Sequence, residues 1–312
     1  MSLSDLGIEG YESKTLLVDG DIIIYQPCCI FNEDDDQSRK LIAKNINQKL
    51  ERLMSEADCD QYIMFVTTKF NFRDQLVDDY KFNRQDVERP INLHWAKKWA
   101  VQNLNTHFHK GMEADDLLGT HQTENTVIWS LDKDLRQIPG LHLDDATGKV
   151  KTITEAGHIE QVITFKEKPN GRVEKKTKYL FEGTLGLQFQ MLTGDSTDYI
   201  VGCAERVDTI IKSGPKKGQT QLKRVGVGPG AAYKLLVSER DKSKTGIEVV
   251  IAEYKKVHGD EWQAQLETQA NLLFMVRKQY GEIIQRWTYD EREEYFDLVK
   301  GVIVNDYDKE AT

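Results

Sequence analysis

Three apolar runs that end in acidic or hydroxyl residues constrain this chain more than any other feature. They are Thr15-Leu16-Leu17-Val18-Asp19-Gly20-Asp21, Gln61-Tyr62-Ile63-Met64-Phe65-Val66-Thr67-Thr68 and Thr126-Val127-Ile128-Trp129-Ser130-Leu131-Asp132-Lys133-Asp134. A strand with one wet face alternates apolar and polar residues, so a continuous apolar run reads as a strand buried on both faces, as in helix-covered parallel sheets. Between the first two runs, Leu41, Ile42, Ile46, Leu50, Leu53 and Met54 recur near helical spacing. This predicts a covering helix and a right-handed parallel crossover. The fold class is therefore α/β, with a central, mostly parallel sheet flanked by helices. Ligands of open α/β sheets bind beyond the carboxyl ends of the strands, where these runs place their acids.

Those acids fall into clusters. Asp19 and Asp21 lie two apart and face one side if the strand persists, although Asp21 alone reads as a cap for a following helix. Asp132 and Asp134 repeat the spacing. Glu113-Ala114-Asp115-Asp116, followed by Leu117-Leu118, puts three carboxylates into four positions where a helix begins. The helix dipole offsets only about 0.3–1 kcal/mol of their repulsion, so either this is a plain acidic helix start or a hard divalent ion sits there. Asp195 and Asp198 form a further pair. Converging at one sheet edge, these groups would supply oxygens for two divalent ions roughly 3.5–4 Å apart, the arrangement for in-line attack on a phosphodiester.

A net charge of −9 would oppose a nucleic-acid partner if evenly spread, but the cations are gathered. From Phe70 to Arg89 they interleave with aromatics, as in single-strand channels; a partly buried helix with snorkelling cations is the alternative. A second basic group, Lys166 to Lys178, surrounds the turn Pro169-Asn170-Gly171, which lies between the β-like stretches Leu141 to Ala156 and Gln161 to Phe165 on one side and Val173 on the other. A third, Lys212, Lys216, Lys217, Lys223 and Arg224, precedes Gly226-Val227-Gly228-Pro229-Gly230, a turn whose backbone amides can meet phosphate. Tyr179 to Leu192, Ile247 to Val257 and Trp262 to Tyr280 read as helices. The 312 residues suit one large domain or a domain with a subdomain. Four cysteines without Cys-x-x-Cys spacing suit a reducing cytoplasm, and neither a signal peptide nor a membrane span is expected.

Val18-Asp19-Gly20, Tyr80-Lys81-Phe82-Asn83-Arg84, Glu113-Ala114-Asp115-Asp116, Ser130-Leu131-Asp132-Lys133-Asp134, Gly194-Asp195-Ser196-Thr197-Asp198-Tyr199-Ile200 and Gly226-Val227-Gly228-Pro229-Gly230 occur in that order. The ordered set resembles the structure-specific 5′-nucleases, namely flap endonucleases, the 5′-nuclease domain of bacterial DNA polymerases and phage 5′→3′ exonucleases. The insertion Lys212 to Gln219 looks most like the exonucleases of short-tailed bacteriophages. The resemblance implies a PIN-like nuclease domain over residues 1–185, with a helical arch at about 70–108, and a C-terminal helical, helix-hairpin-helix-like DNA-binding subdomain over 186–312. It implies that Asp19, Glu113, Asp115, Asp116, Asp132, Asp134, Asp195 and Asp198 hold two Mg²⁺ ions, which Mn²⁺ can replace. Lys81 and Arg84 would act on the scissile phosphate. Arg73, Tyr80, Lys212, Lys216, Lys217, Lys223, Arg224, Gly226, Gly228, Gly230 and Lys234 would contact DNA bearing a 5′ end, flap or gap, or an RNA–DNA hybrid, in the host cytoplasm if the chain is phage-encoded. A haloacid-dehalogenase-type phosphatase using Asp19, or a non-catalytic DNA-binding protein, are the alternatives.

The chain departs from this family at the end of the second strand, where Thr67-Thr68 stands in place of an Asp. The reading here is that Thr68 holds a metal-bound water; the alternative is a shifted register in which Asp74 supplies the charge.

Overall fold

The computed structural model describes residues 13–84, 87–168, 170–280, 283–289 and 294–300. Pro169 of the basic turn and the acids Asp290, Glu291 and Glu293 near the C-terminus lie outside the described residues.

Strand β1 (Thr15–Asp19) runs directly into α1 (Gly20–Ile30), followed by α2 (Asp36–Ala57), β2 (Gln61–Phe65), α3 (Leu93–Asn103), β3 (Thr106–His107), α4 (Ala114–His121), β4 (Thr126–Trp129), β5 (Gly140–Asp144) and β6 (Lys149–Ile153). The six strands form one sheet in the order β3-β2-β1-β4-β5-β6, parallel throughout except that β6 is antiparallel to β5. The apolar runs explain the layering. Leu16 and Val18 pack with Ile23 and Ile24 of α1, Ile42, Ile46, Leu50 and Leu53 of α2, and Ala96 and Ala100 of α3. Leu17, pointing the other way, packs with Leu117 and Leu118 of α4. The order reverses between β1 and β4, so the crevice at their carboxyl ends is the switch point where open sheets bind ligands.

Within residues 70–108, where a helical arch is expected, the helix is α3. Among the described residues of 70–92 there are only two 3-10 turns, Phe72–Gln75 and Phe82–Arg84. Arg73 is drawn into the core, and Lys81 takes a left-handed φ of 53°, a conformation that interrupts a right-handed helix.

Beyond β6, the strands β7 (His158–Glu167) and β8 (Val173–Glu182) form an antiparallel hairpin leading to α5 (Gly183–Thr193). The helix expected from Tyr179 begins only at Gly183, because Tyr179 to Glu182 stay paired with Gln161 to His158. Then follow β9 (Ala204–Ile210), β10 (Thr220–Gly226), α6 (Pro229–Tyr233), α7 (Gly246–His258), α8 (Trp262–Leu273), β11 (Gln279–Tyr280), β12 (Ile283–Tyr289) and β13 (Glu294–Lys300). Leu187 and Leu192 of α5, Val250 and Tyr254 of α7, and Leu266 and Leu273 of α8 share a third apolar cluster with Trp287. The C-terminal half thus carries hairpins as well as helices. Helix α8 stops short of Tyr280 because the following segment is taken up elsewhere: Gln137 accepts from Met275 N and Asp116 from Val276 N. Gly119 lets α4 meet that segment, since a Cβ there would lie 2.2 Å from the Val276 carbonyl oxygen.

Candidate active site

Asp19 ends β1 and caps α1, its carboxylate accepting from Ile22 N at 3.3 Å and from Ser130 Oγ, at the end of β4, at 2.6 Å. It is 3% exposed. Burial, then the charge of Asp21, pushes its carboxyl up to about 7 against the lowering effect of the Ser130 and Ile22 hydrogen bonds. Asp115, in the first turn of α4, is held well above the carboxylate range by burial and by the charges of Asp19, Asp132 and Glu113. Asp132 follows β4 and caps the 3-10 turn Lys133–Gln137, accepting from Asp134 N at 2.8 Å. These three carboxylates come from three element ends, and among the described residues none has a cationic side chain at ion-pair distance.

The other acids already have cations. Lys81 Nζ lies 2.5 Å from Glu113 Oε1 and 3.6 Å from Asp198 Oδ2, and Arg84 also pairs with Asp198. Burial would raise Glu113, but Lys81 and Arg73 outweigh it and bring the carboxyl to about 2. Lys133 Nζ bridges Asp134 at 2.8 Å and Asp195 at 2.7 Å. Gln190 also donates to Asp134, whose carboxyl burial and the Asp132 charge raise to about 8. Burial opposes ionisation of Asp195 too, but hydrogen bonds from Asp134 and Lys133 hold it near 2.

Asp116 is a correction. It is fully buried and bidentate to Arg73, at 2.6 and 2.8 Å, and accepts from Glu113 N and Val276 N. With its lone pairs so used, it braces the start of α4 rather than facing an ion.

The departure at Thr67-Thr68 also resolves differently. Thr67 Oγ1 accepts from Ala114 N, while Thr68 Oγ1 donates to the Phe70 carbonyl at 3.4 Å. Asp74 closes a capping box with Asn71. Asp21 is the carboxylate beside Asp19, and it is no helix cap: it accepts from Thr67 N and pairs with Lys97 at 2.5 Å. The end of β2 therefore gains an acid from α1.

Oxygen-only donors suit a hard cation such as Mg²⁺, and the donor chemistry of Asp19, Asp115 and Asp132 fits one. As placed, no three acidic, His or Cys side chains among the described residues are close enough to share an ion. The fit is chemical and requires side-chain rotation.

Residues 14–166 match the family described as 5′-3′ exonuclease, N-terminal resolvase-like domain. The chain is also 25% identical over 272 residues to the exodeoxyribonuclease of Enterobacteria phage T3, covering 73% of this chain and 80% of the relative. Residues 14–166 thus carry a 5′-nuclease domain related to those of phage exonucleases. It is a nuclease that hydrolyses DNA, so the phosphatase and the purely DNA-binding readings fall, and its family generally uses divalent metals.

The expected DNA contacts of the nuclease divide into two groups. Arg73, 1% exposed, is spent on Asp116 and on the Leu272 and Phe274 carbonyls, and Tyr80, 8% exposed, donates to Glu113. Arg224 donates to the Leu192, Val201 and Val227 carbonyls. All three are internal braces, because each donor is already satisfied within the fold. Lys212, Lys216, Lys217 and Lys223 stand exposed on the β9–β10 hairpin, Gly226 ends β10, and Gly228 caps α6, with Gly230 inside it. Lys234 is exposed beside Glu239. Ser130 and Lys133 are site residues the sequence reading passed over, although both lie inside a quoted motif; their signal is position between acids at a strand end. Among the described residues no helix is long and apolar enough to cross a membrane.

Proposed function

We propose that this nuclease is a Mg²⁺-dependent 5′→3′ exodeoxyribonuclease, with flap or gap cleavage, that works by two ions on duplex DNA with a 5′ end and accepts Mn²⁺ and RNA–DNA hybrids, in the cytoplasm of a host cell. The observation that carries this reading is the trio Asp19, Asp115 and Asp132, buried or half-buried at the switch point without a cation. They would hold the first ion, and Glu113, Asp134, Asp195 and Asp198 would complete the site directly or through water. Bound there, divalent ions supply charge neutralisation at the scissile phosphate and acidify the attacking water.

The chain's own residues do the rest. Ser130 orients Asp19 by its hydrogen bond, and Arg73 with Asp116 sets the angle at which α4 presents Asp115. Lys81 and Arg84, now neutralised by Glu113 and Asp198, turn to the scissile phosphate when it arrives and stabilise the charge that grows there. Lys212, Lys216, Lys217 and Lys223 track phosphates of the duplex, and the Gly226–Gly230 turn with Lys234 grips its backbone. Residues 1–185 would then cut while 186–312 hold.

The test is release of nucleotides from a 5′-labelled duplex. We expect release to require Mg²⁺ and to fall about a thousandfold in Asp132→Ala, the equivalent of several kcal/mol of lost charge stabilisation, while duplex binding in EDTA is retained. Full cleavage by Asp132→Ala would sink the site assignment.

A further inference from the structure

We propose that the β7–β8 hairpin is a second duplex-DNA surface of this nuclease, binding through Lys166, Lys176 and Lys178; this rests on the nuclease reading above. Each strand of the hairpin has ten residues, and every described residue from Ile163 to Lys178 is exposed. Both faces of a long ribbon therefore stand in water, where a lone two-stranded hairpin is marginal and its backbone invites a partner. Only the root is held, by buried Ile159 and Phe181 and by Tyr179 packed on Phe189 and Tyr233.

Charge identifies the partner. Between Gln161 and Leu180 there are six cations against two acids, in a chain whose net charge is −9. The register separates the faces, because directly paired residues share one. Ile163 with Thr177, Phe165 with Lys175 and Glu167 with Val173 form the first; Val162 with Lys178, Thr164 with Lys176 and Lys166 with Glu174 form the second. The acid on the second face, Glu174, is already paired with Lys168 at 3.1 Å. Among the described residues no carboxylate is at ion-pair distance from Lys166, Lys176 or Lys178. Three uncompensated lysines in a row make a track for phosphates, and they stand on a strand ribbon whose root touches the site. Lys133, the bridge between Asp134 and Asp195, lies 5.4 Å over the Phe181 ring, and Tyr179 neighbours Tyr233 of α6 at 5.5 Å. A duplex that reaches the carboxylates and passes the Gly-rich turn has this ribbon beside it.

The experiment measures affinity of the full chain for a blunt duplex in EDTA as salt is varied. Replacing Lys166, Lys176 and Lys178 by Gln should weaken binding and lower the slope of log affinity against log salt by up to about 0.9 for each phosphate no longer neutralised. Phe165→Ser, on the opposite face, should change neither. These positions are exposed, so an unchanged melting temperature is the folding control, and a variant with Ile163 to Thr177 replaced by an Asn-Gly turn repeats the test without the ribbon. An unchanged slope in both overturns the proposal, as does a loss confined to Phe165→Ser, which would mean bases of a single strand stacking on the apolar face. Wild-type protein measured alongside separates the two readings: if it binds and cuts while the lysine variant keeps its slope, only the ribbon proposal falls, and if it neither binds nor cuts, the nuclease mechanism falls with it.

Discussion

At the scale of single residues, the site is a contest between carboxylates with a resident cation and carboxylates without one. Arg73 shows how much depends on the first kind. Its guanidinium satisfies Asp116, Glu113 and two carbonyls inside the protein, so removing it leaves Asp116 charged and buried. Breaking such a pair from one side costs about 3–5 kcal/mol. We expect Arg73→Met to lose stability of that order in urea unfolding, and Arg73→Met with Asp116→Leu to recover part of it. A variant that keeps wild-type stability but loses DNA affinity would restore Arg73 to the DNA-binding surface.

At the scale of elements, what could be read in advance was whatever local pattern determines. The runs ending at Asp21, Thr68 and Asp134 announced the sheet, because burial on both faces leaves no polar alternation, and the spacing of Ile42, Ile46, Leu50 and Leu53 announced α2. The acids at strand ends likewise marked the crevice. What could not be read depends on partners distant in sequence. Arg73 and Tyr80 sit among exposed-looking cations and aromatics, yet they turn inward because Asp116 and Glu113, some forty and thirty residues later, need their donors. The same is true of Asp21, whose partners Thr67 and Lys97 lie on other elements. Tyr179 to Glu182 reads as helix locally, but pairing with β7 keeps it a strand.

At the scale of the molecule, the buried acids make stability depend on pH. Asp19 and Asp134, raised to about 7 and 8, keep protons in the folded chain that the unfolded chain releases near pH 4. Their contribution is full below that pH and is lost as pH rises through 7 and 8. Glu113 and Asp195, lowered to about 2, contribute above the ordinary carboxylate range and lose that contribution only as pH falls toward 2. His142, buried and lowered to about 4, costs stability as pH falls below about 6.5. The clean window is therefore above pH 6.5. In EDTA we expect the melting temperature to fall from pH 6.5 to 8.5, and Mg²⁺ to restore it; a flat profile in EDTA would show that these carboxyls do not carry protons.

If Asp19, Asp115 and Asp132 together are the ion site, equilibrium binding of Mn²⁺ to the full chain, read by electron paramagnetic resonance without DNA, must depend on all three. Saturable binding by the wild type that is abolished or weakened at least about tenfold in Asp115→Asn, roughly 1.4 kcal/mol, is the expected result. Equal Mn²⁺ stoichiometry and affinity in wild type and Asp115→Asn would contradict it.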